Sequence, residues 1–237
     1  MTDYNEGHSV DECREHYNKF YSTTAYPRRQ LRIQAPVFES LCEKNGWKDK
    51  KIIDLGCGWG ITSVLLAAGG NEVTAVDFSL VGIERARNLN PGPHYVCADV
   101  LEWTPSIRYD GAFIRDFSPL RYSPSSPHPF GLEHKNVLRT IFKLLRPGSK
   151  IAFSIMEEGV DVSAWVNIFE ELDAPILYCD NGWFSDNDES PTPWSTPTFG
   201  MIVQSPMAET VKTHKSAQSM SYDYKSQWSY NPSKTKI

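Results

Sequence analysis

Asp54-Leu55-Gly56-Cys57-Gly58-Trp59-Gly60, set between the apolar pair Ile52-Ile53 and the run Ile61-Thr62-Ser63-Val64-Leu65-Leu66-Ala67-Ala68, constrains this chain more than any other segment. It reads as strand, glycine turn and helix. Such a turn brings bare backbone close to a ligand at a helix N-terminus, where free N–H groups point outward and no Cβ blocks approach. A small-molecule cofactor site is the first expectation.

Around this turn, helix-like and strand-like segments alternate. Leu31, Ala35, Phe38 and Leu41 place an amphipathic helix over Leu31 to Cys42, ahead of the first strand. Val73 to Val76 is a short strand ending in Asp77, and Leu80 to Leu89 is a helix closed by Asn90-Pro91-Gly92-Pro93. Tyr95 to Ala98 and Gly111 to Ile114 are the next strands, running into Asp99 and into Arg115-Asp116. A Pro-rich and Ser-rich loop, Ser118 to Gly131, precedes a helix marked by Val137, Ile141 and Leu144 and stopped by Arg146-Pro147-Gly148. Ile151 to Ile155 is the fifth strand, followed by a helix through Val162, Trp165, Phe169 and Leu172. Ile176 to Tyr178 and Phe199 to Val203 close the series, separated by a polar, Pro-rich loop from Asp186 to Pro197. Strands alternating with helices of this length imply βαβ units, an α/β fold with a largely parallel sheet and helices on both faces. The last two strands lack a helical crossover, so they are expected to pair antiparallel.

The glycine pattern narrows the ligand. A dinucleotide fingerprint places its last small residue five positions after the first glycine, where this chain has Ile61. That argues against a nicotinamide oxidoreductase. The pattern acidic-x-Gly-x-Gly-x-Gly, with a strand before and a helix after, instead resembles motif I of the class I S-adenosylmethionine (SAM) dependent methyltransferases. Asp77, twenty-one residues beyond Gly56, Asp99 at the end of the third strand, and Leu145-Arg146-Pro147-Gly148-Ser149 before the fifth add to that resemblance.

The resemblance implies a doubly wound, seven-stranded, mostly parallel sheet whose last strand is antiparallel. It also implies SAM as methyl donor and S-adenosylhomocysteine (SAH) as product. Gly56, Gly58 and Gly60 would pass beneath the methionine part of SAM, with Asp54 fixing the turn or meeting the amino group through water. Asp77, with Phe78 beside it, would accept the ribose hydroxyls. Asp99 would hold the adenine amino group, with Val100 against the ring. Asp116 would orient the SAM amino group or act as base.

Methyl transfer from a sulfonium is an in-line displacement that rests on alignment and exclusion of water, with a general base added for hydroxyls and protonated amines. His134, at the start of a helix, is the second candidate base, and His128 lies in the preceding loop. The segment Arg115-Asp116-Phe117-Ser118-Pro119-Leu120 departs from the Asn/Asp-Pro-Pro-Tyr/Phe of amino-methylating nucleic-acid enzymes at Ser118, and is more similar to small-molecule methyltransferases. Arg115 and Ser118 are therefore candidate acceptor contacts. Tyr17, Phe20, Tyr21, Tyr26, Arg28 and Arg29 make an aromatic and basic segment that could fold over the site, with Tyr21, Tyr26 and Arg28 meeting the acceptor.

These readings divide the chain into an N-terminal helical or lid segment (1–29), a SAM-dependent methyltransferase domain (30–206) and a polar tail (207–237). The expected activity is methyl transfer to an oxygen or nitrogen of a small molecule. The alternatives are a non-catalytic SAM-binding, protein-interaction module and an RNA or protein methyltransferase. Lys and Arg total 24 against 29 Asp and Glu in 237 residues, and the net charge of −5 argues against a nucleic-acid partner. The five cysteines, Cys13, Cys42, Cys57, Cys97 and Cys179, include no CxxC pair and no histidine at zinc-ligand spacing. No metal is expected, and the thiols point to a reducing compartment, the cytoplasm. Met1 to Glu6 lacks a basic, apolar leader, and no apolar run approaches the roughly 20 residues that span a bilayer, so no membrane partner is expected.

Overall fold

Ile52 and Ile53, adjacent on the first strand, are both fully buried but in different hydrophobic clusters, as a strand covered on both faces requires. The computed structural model describes residues 10–26, 28–121, 124–125, 132–155, 161–181 and 199–207. His128, the loop from Asp186 to Pro197 and the tail beyond Met207 lie outside the described residues, as do residues 1–9 of the N-terminal segment.

The elements run α1 (Val10–Thr23), α2 (Arg28–Asn45), β1 (Lys51–Leu55), α3 (Ile61–Ala68), β2 (Glu72–Asp77), α4 (Leu80–Leu89), β3 (His94–Cys97) and β4 (Tyr109–Arg115). They continue with α5 (His134–Leu144), β5 (Leu145–Ile155), α6 (Val162–Glu171), β6 (Ile176–Asn181) and β7 (Phe199–Gln204). The seven strands form one sheet in the order β3-β2-β1-β4-β5-β7-β6. Pairing is parallel from β3 through β5, whereas β7 is antiparallel to both β5 and β6. The expected doubly wound sheet with an antiparallel last strand is what the chain forms.

Alternation along the strands assigns the two faces. Ile52, Val73, Phe113 and Ala152 pack with Phe38 and Leu41 of α2 and with Leu65 and Leu66 of α3. Ile53, Val76, Ile114 and Phe153 pack with Val137, Leu138 and Ile141 of α5 and with Trp165 and Phe169 of α6. β1 sits where the strand order reverses direction, so the crevice beyond its carboxyl end is open between neighbouring crossovers.

Boundaries differ from expectation at several places. α2 begins at Arg28 and carries Pro36 within it, so the division expected at 29/30 falls in its first turn. β3 stops at Cys97, and the helix α5 gives way directly to β5 at Leu145, six residues before Ile151. Leu145 pairs with Tyr109, and the register shifts before Lys150 joins Gly111. Arg146-Pro147-Gly148 is therefore an irregular strand entry, with Gly148 at φ 75. The same Pro and Gly that end a helix also suit a bulge.

Candidate active site

The turn after β1 is made possible by glycine twice over. Gly56, Gly58 and Gly60 have φ of 75, 51 and 73, in the left-handed region that L-residues disfavour. A Cβ on Gly58 would stand 2.6 Å from Tyr21 Oη, and one on Gly60 2.3 Å from Tyr95 Oη. The amides of Gly56 and Cys57 donate to the Val76 carbonyl at 2.9 and 3.1 Å, which ties the turn to β2. Beneath it, Asp54 is buried and accepts from Thr62 Oγ1 at 2.6 Å and Ser63 Oγ at 2.5 Å, in the first turn of α3. Burial outweighs these bonds and pushes the Asp54 carboxyl up to about 6.

Beyond the carboxyl ends of β1 to β4 lies a cavity of about 140 Å³, closed on one side by α1. Three carboxylates line it. Asp77 accepts from the amides of Gly58 at 2.9 Å and Ser79 at 2.8 Å, and burial pushes it up to about 6 against those bonds. Asp99 accepts from the Leu101 amide at 2.9 Å. Asp116, just past β4, holds φ 48 although it is not glycine. Its Oδ1 is buried and accepts no hydrogen bond, with Arg121 Nε at 3.3 Å as its ion-pair partner. Burial raises the Asp116 carboxyl, opposed by Arg121 and Arg115. Phe78, Val100, Leu101 and Phe117 supply apolar wall.

α1 contributes Cys13, Tyr17 and Tyr21, which recur every four residues and so share one helix face. Tyr17 Oη and Ser118 Oγ are 2.9 Å apart, joining α1 to the segment after β4. Tyr17 also meets Phe78 edge-on, with ring centroids 5.6 Å apart, and Tyr21 meets Trp59 in the same way at 5.3 Å. Asn18 Oδ1 accepts from Ser79 Oγ at 2.7 Å. Arg85 of α4 donates to the carbonyls of Tyr21 and Thr24, orphans at the end of α1, where a cation is also favoured by the helix dipole.

Gly56, Asp77, Phe78, Asp99, Val100, Asp116, Ser118 and Tyr21 thus come together around one cavity. Asp54, Gly58 and Gly60 lie outside its lining and shape it from below. Tyr26 donates to Asn90 Oδ1 at 2.8 Å, Arg28 is exposed at the start of α2, and neither lines the cavity. Arg115 donates to Gln34 Oε1 at 3.0 Å, on the α2 side of the sheet. His134 is buried edge-on against Trp165, ring centroids 5.3 Å apart, also outside the lining. Cys13, Ala98, Leu101 and Leu132 line the cavity without having been singled out by sequence. For Cys13 the signal was present, in its spacing from Tyr17 and Tyr21.

Residues 52–148 match the model of a family described as "Methyltransferase domain". The trans-aconitate 2-methyltransferase of Delftia acidovorans is 28% identical over 141 residues, 59% of this chain and 47% of that protein. The malonyl-[acyl-carrier protein] O-methyltransferase of Salmonella typhimurium is 30% identical over 108 residues, 46% of this chain and 39% of that protein. The chain spans about half the length, or less, of these curated relatives. Its fold matches 1,6-didemethyltoxoflavin-N1-methyltransferase of Burkholderia thailandensis, solved with 1,6-didemethyltoxoflavin and S-adenosylhomocysteine, at TM-score 0.57. Identity there is 14%, over 84% of this chain and 92% of that one. Residues 52–148 thus resemble a methyltransferase domain, and the fold is that of the solved methyltransferase.

The residues that line the cavity fit SAM. A carboxylate offers about four lone-pair sites, so Asp77 and Asp99, held in place by backbone N–H groups, retain capacity for hydroxyl and amino donors. Phe78, Val100 and Leu101 offer apolar contact to a base. The buried Asp116 Oδ1, ion-paired to Arg121 but accepting no hydrogen bond, keeps lone-pair capacity for a ligand donor. Among the described residues, no three His, Cys, Asp or Glu side chains are grouped so as to hold a metal ion, and no helix is long and apolar enough to cross a membrane.

Proposed function

We propose that this chain is a SAM-dependent methyltransferase that transfers a methyl group to an oxygen or nitrogen of a small molecule. The observation that carries the reading is the one cavity that Asp77, Asp99 and Asp116 share at the carboxyl ends of β2, β3 and β4. Bound SAM would supply an electrophilic methyl on sulfur. Asp77 would orient the ribose through charge-assisted hydrogen bonds, which contribute about 1.5–3 kcal/mol each. Asp99 would take the adenine amino group between Phe78 and Val100. Asp116 would face the transferred methyl and hold a proton released by the acceptor.

The small-molecule reading is supported by the names of the relatives, by the small cavity, and by Ser118 where nucleic-acid enzymes carry proline. The 1–29 segment, through Tyr17 and Tyr21 of α1, would form one wall of the acceptor site. Four free thiols among the described residues, Cys13, Cys42, Cys57 and Cys97, support a reducing, cytoplasmic location. Isothermal titration with SAM and SAH tests the donor. Saturable binding is expected, weakened at least tenfold by Asp77→Ala; absence of binding, or indifference to that substitution, removes the reading.

A further inference from the structure

Asp116 sits in a loop that its own chain closes. Past β4 the backbone bends through φ 48 at Asp116, and a short helical turn, Ser118–Leu120, follows. The Leu120 amide donates to the Phe117 carbonyl at 2.8 Å, and the Arg121 amide to that of Ser118 at 3.3 Å. This reversal returns the Arg121 side chain to Asp116, with Nε 3.3 Å from Oδ1. Two anchors fix the turn. The Leu120 side chain is buried with Val137 and Leu138 of α5, and Ser118 Oγ lies 2.9 Å from Tyr17 Oη of α1. Arg121 does not line the cavity, so it reaches an acceptor only through Asp116.

In the proposed reading Asp116 holds a proton released by the acceptor, which it can take only while ionised. Its surroundings oppose that. Burial raises the carboxyl, and Oδ1 accepts no hydrogen bond that would favour the anion. The titratable and charged groups that face it are Arg121 and Arg115 from its own segment, Tyr17 and Tyr21 from α1, and Asp77 and Asp99 across the cavity. Burial keeps both tyrosines neutral, and the two acids can add only like charge. Arg115 donates to Gln34 Oε1 at 3.0 Å, on the α2 side of the sheet. Arg121 is the cation at ion-pair distance from the carboxylate itself, and it counts most against burial.

We propose that Arg121, seated by the Tyr17–Ser118 link to α1, is a positioning residue that keeps the Asp116 carboxylate at the cavity wall, ionised and able to take the acceptor's proton. This rests on the SAM-dependent reading above, whereas its test reads Asp116 directly in the unliganded full chain. The Asp116 carboxyl is titrated by NMR with carbon-13 in the aspartate carboxyls, its signal assigned by its loss in Asp116→Asn, where asparagine tolerates the left-handed φ. With 39% of its side chain exposed, Arg121 can be replaced without opening the core. Arg121→Gln is expected to raise the Asp116 midpoint by about one pH unit. Arg121→Lys, which keeps a cation, should restore at least half of that change, and Arg115→Gln should raise the midpoint less than Arg121→Gln does. An unchanged midpoint in Arg121→Gln overturns the proposal, as does failure of lysine to restore it, or an equal or larger change in Arg115→Gln. Isothermal titration of the wild-type chain with SAH keeps the two readings apart. Absence of SAH binding overturns the donor reading and this one together. Normal SAH binding with a midpoint indifferent to Arg121→Gln overturns only the role of Arg121.

Discussion

The turns after β1 and after β4 both leave their strands through the left-handed region, and they do so in opposite ways. After β1 the conformation is given to glycines, Gly56 packed against Phe117 and Gly58 and Gly60 against Tyr21 and Tyr95, and the nearby buried acid Asp54 has two hydroxyl donors. After β4 the conformation falls on Asp116, which keeps a Cβ and a buried oxygen that no hydrogen bond satisfies. The first turn is locally consistent. The second stores strain, of order 1–3 kcal/mol, at the point where an acceptor would meet the methyl group. One turn is closed by glycine packing, and the other leaves a carboxylate at the cavity wall.

Exchanging the residue types of the two turns should break that contrast most visibly. Gly60→Ala adds a Cβ 2.3 Å from Tyr95 Oη at φ 73, and Tyr95 is fixed by its bond to the Asn90 carbonyl at 2.7 Å. A loss of about 2–5 kcal/mol is expected in urea unfolding. Partial recovery in Gly60→Ala with Tyr95→Phe would assign part of that loss to the hydroxyl.

The pH dependence is the next largest effect. Asp54 and Asp77 both lie near 6 in the folded chain, above the ordinary carboxyl range, so folding favours their neutral forms. Unliganded protein should therefore gain stability as pH falls from 7 to 5, by about 1 kcal/mol for each carboxyl. The gain is lost again as pH rises through 6. Asp54→Asn should remove about half of it; a pH profile identical to wild type would show that Asp54 is not one of the titrating groups.

Asp116→Gly sharpens the comparison with the opposite sign. Relief of the left-handed strain should raise stability by about 1 kcal/mol. Destabilisation of that size would mean that the turn after β4 is held by contacts of the Asp116 side chain. The smallest effect is expected from Tyr17→Phe, which removes the bond to Ser118 and should cost about 0.5–1.5 kcal/mol by the same unfolding measurement.

Legibility in the sequence follows the same division. The glycines, Asp77 and Asp99 could be read because local rules act on them: left-handed backbone demands glycine, and strand ends in a parallel sheet face the ligand crevice. Arg115 and Asp116 are neighbours in the chain, and nothing local says which faces the cavity. The alternation of β4 turns Arg115 toward Gln34 of α2, while the left-handed bend brings Asp116 into the lining. His134 begins a helix close to the site in sequence, yet its ring is spent against Trp165, thirty-one residues later. Tyr17 and Tyr21 belong to one helix face, but their place over the glycine turn depends on Asn18 and Arg85 tying α1 to α4.

By itself the sequence determined the alternating α/β order, the parallel sheet with its antiparallel ending, and the glycine turn with acids at the next two strand ends. Each of these is encoded within a few residues or in a repeating period. Only the tertiary structure decided which aromatic residues close the site and that the acids share one cavity empty of described cationic side chains. It also decided that Asp116 carries the strained conformation. Those facts are set by the packing of α1 across α4 and by the side of each strand that a residue faces, which depend on contacts between segments far apart in the chain.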